Sequence, residues 1–102
     1  MGKWQLGEEG KTCSETCREN NKYCNAPLQA EITTRELMEI AMAQTGTGLT
    51  CKYWAWRSGD VGAPFFKPSS GECFGLTSAG SARCDRNNYS RMRALCQCVS
   101  FL

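Results

Sequence analysis

Eight cysteines in a chain of 102 residues constrain this protein more than any other feature. Their even number favours complete pairing, and a chain of this length buries too little apolar surface to depend on packing alone. The alternative is two zinc sites, but the sequence has no histidine and no two cysteines separated by two residues. We therefore expect four disulfides and no metal or other cofactor, with all eight residues structural: Cys13, Cys17, Cys24, Cys51, Cys73, Cys84, Cys96 and Cys98.

This cysteine content also predicts where the protein resides. Disulfides persist in oxidising compartments, so we expect a secreted protein or one of the secretory-pathway lumen. No stretch approaches the roughly 18 apolar residues of a membrane span, and no nucleic-acid-binding motif occurs, so neither membrane insertion nor nucleic acid is expected. We expect a monomer with a flexible lead-in over residues 1–9, where glycines lie among charges, and a single domain over residues 10–102.

Two helices are predicted from their starting signals. Thr12 is followed three residues later by Glu15, a capping box that predicts a helix over about residues 13–20. A second such pair, Thr33 and Glu36, predicts a helix over about residues 34–45. Its apolar stripe is expected to comprise Leu37, Ile40, Ala41 and Gln44.

Alternating aromatic residues predict a strand from Leu49 to Trp56, and later segments read as further short strands. The predicted fold class is therefore a small disulfide-rich α+β domain, in which two short helices pack with a small antiparallel sheet.

The cysteine frame as a whole resembles a known domain. Its elements, in order, are Cys13-x3-Cys17-x6-Cys24, Cys51, Ala63-Pro64-Phe65, Gly71-Glu72-Cys73, Ala82-Arg83-Cys84 and Leu95-Cys96-Gln97-Cys98. Over about residues 10–101 this is similar to the cysteine-rich C-terminal domain of the alpha-1,6-mannosylglycoprotein 6-beta-N-acetylglucosaminyltransferases, the N-acetylglucosaminyltransferase V family. The chain departs from that family at Gln97, where the family has proline, and at Met92, which separates two arginines that are adjacent there.

The resemblance implies an accessory domain standing alone as a module. In that family the nucleotide-sugar site and the catalytic base belong to a larger region upstream, so transferase activity is not implied for this chain.

The disulfide pairing follows from the same comparison. Eight cysteines allow 105 pairings, and sequence alone does not choose among them. Two cysteines share a helix face and two share a strand face, so these pairs can join side by side. The scheme that agrees with this and with what the resemblance implies is Cys13–Cys96, Cys17–Cys98, Cys24–Cys84 and Cys51–Cys73.

The residue types argue against an enzyme. Histidine, the commonest general base near neutral pH, is absent, and the cysteines are expected to be consumed in disulfides. We expect a non-catalytic recognition or accessory module whose partner is a glycan or a secreted or cell-surface glycoprotein. Two alternatives stay open: a purely structural cap of a larger secretory-pathway protein, and a small secreted effector or defence-type protein.

Three surface features are candidate sites. Aromatic residues beside polar groups suit sugar rings, which predicts a ligand site at Lys52, Trp54, Trp56, Arg57 and Asp60, although a role of either tryptophan in the core is the alternative. A basic patch at Arg83, Arg86, Arg91 and Arg93 could bind anionic partners, or could be an ordinary solvated face. Asn88 begins an Asn-Tyr-Ser glycosylation sequon.

Overall fold

The computed structural model describes residues 3–61, 64–85, 87 and 91–100. The fold is a small disulfide-rich α+β domain, and within these residues it contains three helices and a six-stranded mixed sheet. The helices are α1 (Cys13–Glu19), α2 (Ala26–Gln29) and α3 (Arg35–Gln44). The strands are β1 (Lys3–Glu9), β2 (Tyr23–Cys24), β3 (Tyr53–Val61), β4 (Phe65–Lys67), β5 (Glu72–Ala82) and β6 (Arg93–Val99).

The sheet is not wholly antiparallel, which corrects the expectation from the sequence. Its strand order is β1-β6-β4-β5-β3, with β2 also paired to β6, and β3 runs parallel to β5 while the other pairs are antiparallel. Parallel neighbours need a connection that brings the chain back to its starting end. Here β4 makes that return, since it pairs antiparallel to β5 on the side away from β3.

Residues 3–9 form strand β1, which corrects the expectation of a flexible lead-in. Trp4 and Leu6 pair with Gln97 and Leu95 of β6, and the Trp4 side chain is buried. Gly7 makes a close approach possible, because a Cβ atom there would lie 2.3 Å from the Thr16 hydroxyl oxygen of α1. The glycines among charged residues predicted a loop. Trp4 and Leu6, however, alternate with polar residues, which is the pattern of a strand.

The sheet carries buried side chains on both faces. Successive residues of β6 alternate, so that Ala94 and Cys96 pack with α1 while Leu95 packs with α3. Phe65 and Phe66 of β4 divide in the same way between the two faces. The result is a three-layer arrangement with α1 on one side of the sheet and α3 on the other.

Helix α1 begins and ends as the sequence predicts. Its capping box is present, since the Thr12 hydroxyl accepts from the Glu15 N–H and the Glu15 carboxylate accepts from the Thr12 N–H. Asn21 adopts a positive φ of 57° directly after the C-cap residue Asn20. Asparagine tolerates this left-handed conformation, which ends the helix.

Helix α3 spans the predicted residues but presents a different face to the core. The N-cap is Thr34, which accepts from the Leu37 N–H, so the expected box between Thr33 and Glu36 does not form. The buried residues are Met38, Ala41 and Met42, whereas Leu37 and Ile40 are 40% and 55% exposed. The short helix α2, capped by Asn25, was not predicted.

All four predicted disulfides are confirmed. Cys13–Cys96 and Cys17–Cys98 join α1 to β6, Cys24–Cys84 joins β2 to the segment after β5, and Cys51–Cys73 joins the segment before β3 to β5. No cysteine is free. Such a disulfide content is typical of proteins in oxidising secretory or extracellular environments.

Candidate functional site

The segment after the two tryptophans continues strand β3. Gly59 pairs with Gly80 and Asp60 with Ser81 of β5, following a register shift after Arg57. The backbone between Arg57 and Asp60 is therefore held in the sheet. The side chain of Asp60 lies outside the described part of the chain.

Trp54 and Trp56 are half-buried, and each has a packing role in the fold. Trp54 packs against the cluster beneath α3, and the guanidinium carbon of Arg35 lies 3.8 Å from the centroid of its ring. The ring of Trp56 lies over Gly75, where a Cβ atom would come within 2.3 Å of it. Arg35 thus covers a surface of Trp54 that a sugar ring would need.

The four predicted ligand residues whose side chains are described do not come together in one site. The guanidinium carbon of Arg57 lies 4.8 Å from the ring centroid of Phe74, which belongs to the cluster beneath α1, on the sheet face opposite Trp54. Lys52 packs over Gly71 and lines a separate groove.

The predicted basic patch is divided among different roles. Arg93 donates from Nε to the Gly7 carbonyl at 2.7 Å, and so clamps β1 to β6. Arg83 pairs with Asp85 at 3.3 Å. Arg91 lines a surface hollow. Arg86 and the sequon residue Asn88 lie outside the described residues.

Two adjoining hollows form a concave surface on the described residues. The larger, of about 530 Å³, is lined by Glu9, Lys67, Ser69 and Arg91. The smaller, of about 250 Å³, is lined by Gly48, Leu49, Thr50, Lys52, Phe66, Pro68, Ser69, Ser70 and Gly71. Because Ser69 lines both, we call the combined surface the Ser69 groove.

The Ser69 groove presents charged groups that the fold does not use. Within residues 3–61, 64–85, 87 and 91–100, the side chains of Lys52, Lys67, Arg91 and Glu9 make no ion pair or hydrogen bond. Three cations and one carboxylate are therefore available to a ligand. Hydroxyl groups of Ser69 and Thr50 lie among them, and Leu49 and Pro68 supply apolar surface.

Backbone hydrogen bonds hold the chain in place around the groove. The Lys67 carbonyl accepts from the N–H groups of Ser70 and Gly71, and the Gly71 carbonyl accepts from the Lys52 N–H at 2.8 Å. Gly71 has a φ of 78°, a conformation that favours glycine, and this closes the turn between β4 and β5. Nothing in the sequence marked Glu9 and Arg91 as neighbours of Lys67, because they come from distant segments of the chain.

Two described groups have a shifted pKa, and both lie near α1. The Glu19 carboxylate, which accepts a hydrogen bond from Lys11, raises the pKa of the Lys11 amine. The Thr12 backbone N–H, which donates to Glu15, lowers the pKa of that carboxyl. Both shifts reflect the capping and pairing of α1, and neither group lines the Ser69 groove.

Neither a metal site nor a membrane-spanning helix occurs among the described residues. No group of three or more His, Cys, Asp or Glu side chains in that part of the chain could hold a metal ion. Among the same residues, no helix is long and apolar enough to cross a membrane.

Comparison of the chain with protein-family models and with curated proteins gives no match. The function is therefore inferred from the chemistry of the surface.

Proposed function

We propose that this chain is a non-catalytic recognition module of the extracellular space or secretory-pathway lumen, and that it binds a glycan or a glycoprotein through the Ser69 groove. The observation that carries the proposal is the set of three cations, Lys52, Lys67 and Arg91, that line this groove without forming an ion pair in the described chain. Groups of this kind on a concave surface are available to a partner.

The chemistry of the groove matches a sugar in several respects. A pyranose ring presents apolar C–H surfaces and hydroxyl edges, and the groove offers Leu49 and Pro68 beside the hydroxyl groups of Thr50 and Ser69. Lysine and arginine side chains donate hydrogen bonds to sugar oxygens, while the carboxylate of Glu9 accepts them from sugar hydroxyls. Volumes of several hundred Å³ are of the size that small ligands occupy.

The groove is also held in place before a ligand arrives. Lys52 follows Cys51, whose disulfide to Cys73 fixes the start of β3 against β5. A site that is already ordered loses little conformational entropy on binding, so more of the contact energy remains as affinity.

The cellular location of the protein and its relation to the transferase family stay predictions. The sequence of the full-length precursor can test both. The full-length precursor would carry a secretory signal if the chain is secreted or lumenal. A large transferase region directly upstream would make it the accessory domain that the resemblance implies, and an unrelated upstream region would contradict that relation.

Binding can be tested by titrating the ¹⁵N-labelled protein with neutral and acidic oligosaccharides and following its backbone amide signals. We expect shifts in segments 48–52 and 66–71 and at Arg91. Lys67→Gln should raise the Kd at least about fivefold, because it removes a charge-assisted hydrogen bond. Lys67→Arg, which keeps the charge, should stay within about twofold of the wild type.

Two results would overturn the assignment. Absence of shifts with every oligosaccharide would refute glycan binding. Shifts centred on Trp54 and Trp56 instead of the Ser69 groove would return the site to the aromatic strand predicted from the sequence.

A further inference from the structure

A third hollow lies at the end of α1, away from the residues that line the Ser69 groove. It has a volume of about 240 Å³ and is lined by Ser14, Arg18, Lys22, Tyr23 and Cys24. We call it the Arg18 hollow. Its two cations, Arg18 and Lys22, take no part in the Ser69 groove.

The local sequence builds this hollow from one helix and the turn that ends it. Ser14 and Arg18 are four residues apart on α1 and therefore share a face. After Asn21 adopts its positive φ, the Lys22 N–H donates to the Cys17 carbonyl at 2.9 Å and the Asn21 N–H donates to the Arg18 carbonyl at 3.0 Å. This Schellman arrangement turns the chain back, so that Lys22 and Tyr23 line the same hollow as the helix face.

The two cations of the hollow make no direct ion pair within the described chain. In the described part of the chain, neither Arg18 nor Lys22 makes an ion pair or a side-chain hydrogen bond. The acidic residues of α1 are engaged elsewhere, since Glu19 pairs with Lys11 and Glu15 accepts hydrogen bonds from Thr12. Among the described residues, no carboxylate lines the hollow.

Lys22 is half-buried, which makes the missing counter-ion more significant. Removing part of the water around an ammonium group costs free energy unless an opposite charge or hydrogen-bond acceptor replaces it. An oxyanion held between Lys22 and Arg18 would supply both, and the planar guanidinium of arginine suits carboxylate and sulfate oxygens.

An aromatic ring stands beside these cations. Tyr23 lines the hollow and is 46% exposed, which leaves part of its surface open to a ligand. Aromatic rings pack against the C–H surfaces of sugars, so the hollow joins a ring-binding surface to a two-cation anion site. The Ser14 side chain adds a hydroxyl that can donate or accept a hydrogen bond.

The frame around the hollow is covalent. Cys24, which lines it, is bonded to Cys84, and the Ser14 N–H donates to the Cys84 carbonyl at 2.8 Å. Cys17, one residue before Arg18, is bonded to Cys98. These links hold α1 and β2 in place, so little conformational entropy is lost when a ligand binds.

We propose that the Arg18 hollow binds a sugar residue that carries a sulfate or carboxylate group. The oxyanion lies between Arg18 and Lys22, and the sugar ring lies against Tyr23. This assignment rests on the proposed function for its ligand class, since it makes the module a reader of acidic glycans with a second subsite outside the Ser69 groove.

The test titrates the ¹⁵N-labelled protein with three tetrasaccharides: chondroitin 4-sulfate, hyaluronan, which has carboxylates but no sulfate, and neutral chitotetraose. We expect chondroitin 4-sulfate to shift the amide signals of Ser14, Arg18, Lys22 and Tyr23. A response to hyaluronan as well assigns a carboxylate ligand, and a response to chondroitin 4-sulfate alone assigns a sulfate. Either result supports the proposal.

Variants then test the roles of the two cations. Lys22→Gln and Arg18→Gln should each raise the Kd for the responding tetrasaccharide at least about tenfold, since each removes a charge-assisted hydrogen bond. Lys22→Arg should stay within about threefold of the wild type because the charge is kept. Gln44→Glu, at an exposed position of α3 across the sheet, lowers the net charge by the same amount and should change the Kd by less than about twofold.

Three outcomes would overturn the assignment. An equal loss of binding in Gln44→Glu and Lys22→Gln would show that attraction is set by net charge alone. Shifts confined to the Ser69 groove would leave the proposed function standing and refute the Arg18 hollow. No shifts with any tetrasaccharide, from a protein whose amide spectrum is that of the folded state, would refute both.

Discussion

The packing around Gly75 leaves no room for a side chain. Gly75 of β5 pairs with Trp56 of β3, and the indole ring lies directly over it. A Cβ atom built on Gly75 would lie 2.3 Å from Trp56 Cζ3 and 3.0 Å from the Ile32 carbonyl oxygen. The position of Trp56, and with it the path of the segment between α2 and α3, therefore depends on this glycine.

The substitution Gly75→Ala should lower the free energy of unfolding by about 1–3 kcal/mol, the usual cost of forcing extra volume into a packed site. Urea denaturation measures it. In a Trp56→Phe background the smaller ring leaves more room, so the added cost of Gly75→Ala should fall. An equal cost in both backgrounds would mean that Trp56 is not the group that conflicts with the new methyl.

A second effect at the scale of single residues is the dependence of stability on the ionisation of Glu15. The Thr12 N–H lowers the pKa of Glu15 below its ordinary value of 4.5, because it donates to the charged form of the carboxyl. A carboxyl whose pKa is depressed by folding stabilises the fold above the pKa of the unfolded chain, and this contribution is lost as pH falls through the folded pKa.

We therefore expect Glu15→Gln to unfold more readily than the wild type above the ordinary glutamate pKa of 4.5. The difference in melting temperature should shrink as pH falls below that value, because both side chains are then neutral. Circular dichroism melts across this range measure it. A difference that stays constant with pH would mean that the glutamate charge contributes nothing to the capping box.

At the scale of elements, α3 separates what the sequence determines from what it leaves open. The Thr33–Glu36 pair placed the limits of the helix to within one residue, because such starting signals are local, although the residue that caps it is Thr34. Its orientation was predicted wrongly, because apolar residues occur at six of its positions: 37, 38, 40, 41, 42 and 43. With apolar side chains spread around the helix, periodicity does not choose the buried face. That face is chosen by contact with β1 and with the buried cluster that includes Trp4 and Cys73.

The structure makes the two faces of α3 distinguishable by mutation. Met38→Ala should lower the free energy of unfolding by about 2–4 kcal/mol, since Met38 is completely buried and its loss leaves a cavity. Leu37→Gln should change it by less than about 0.5 kcal/mol, since Leu37 faces solvent. Urea denaturation of both variants measures this, and the reverse order would restore the face predicted from the sequence.

The sheet and the candidate site were less accessible to sequence reasoning than the helices. The parallel pairing of β3 with β5 and the pairing of β1 with β6 depend on partners far apart in the chain, and no local signal encodes them. The Ser69 groove draws residues from β1, the β4–β5 turn and the segment before β6, so it exists only after the strands have paired.

At the scale of the whole molecule, the disulfides join parts of the chain that lie far apart. Cys13–Cys96 and Cys17–Cys98 span 83 and 81 residues and attach α1 to β6, which is itself paired with β1, β2 and β4. The Cys51–Cys73 bridge spans only 22 residues. The first two bridges therefore hold the N-terminal and C-terminal parts together, while the last closes one local unit of the sheet.

This difference predicts an order of stability among bridge deletions. In the chain-entropy treatment, a bridge stabilises the fold by restricting the unfolded chain, and the restriction grows with the length of the closed loop. Replacing Cys51 and Cys73 together by alanine should lower the free energy of unfolding by about 3 kcal/mol, and replacing Cys13 and Cys96 together should lower it by about 4–5 kcal/mol.

Urea denaturation of both double variants, with the other three bridges verified by peptide mapping, measures the order. The larger effect of the Cys13–Cys96 deletion is reinforced by packing, since both residues are completely buried in the cluster between α1 and the sheet, whereas Cys51 is partly exposed. If the Cys51–Cys73 deletion proved the more damaging, loop length would not govern stability here. The local frame around β3, β5 and the Ser69 groove would then be the part of the fold on which the rest depends.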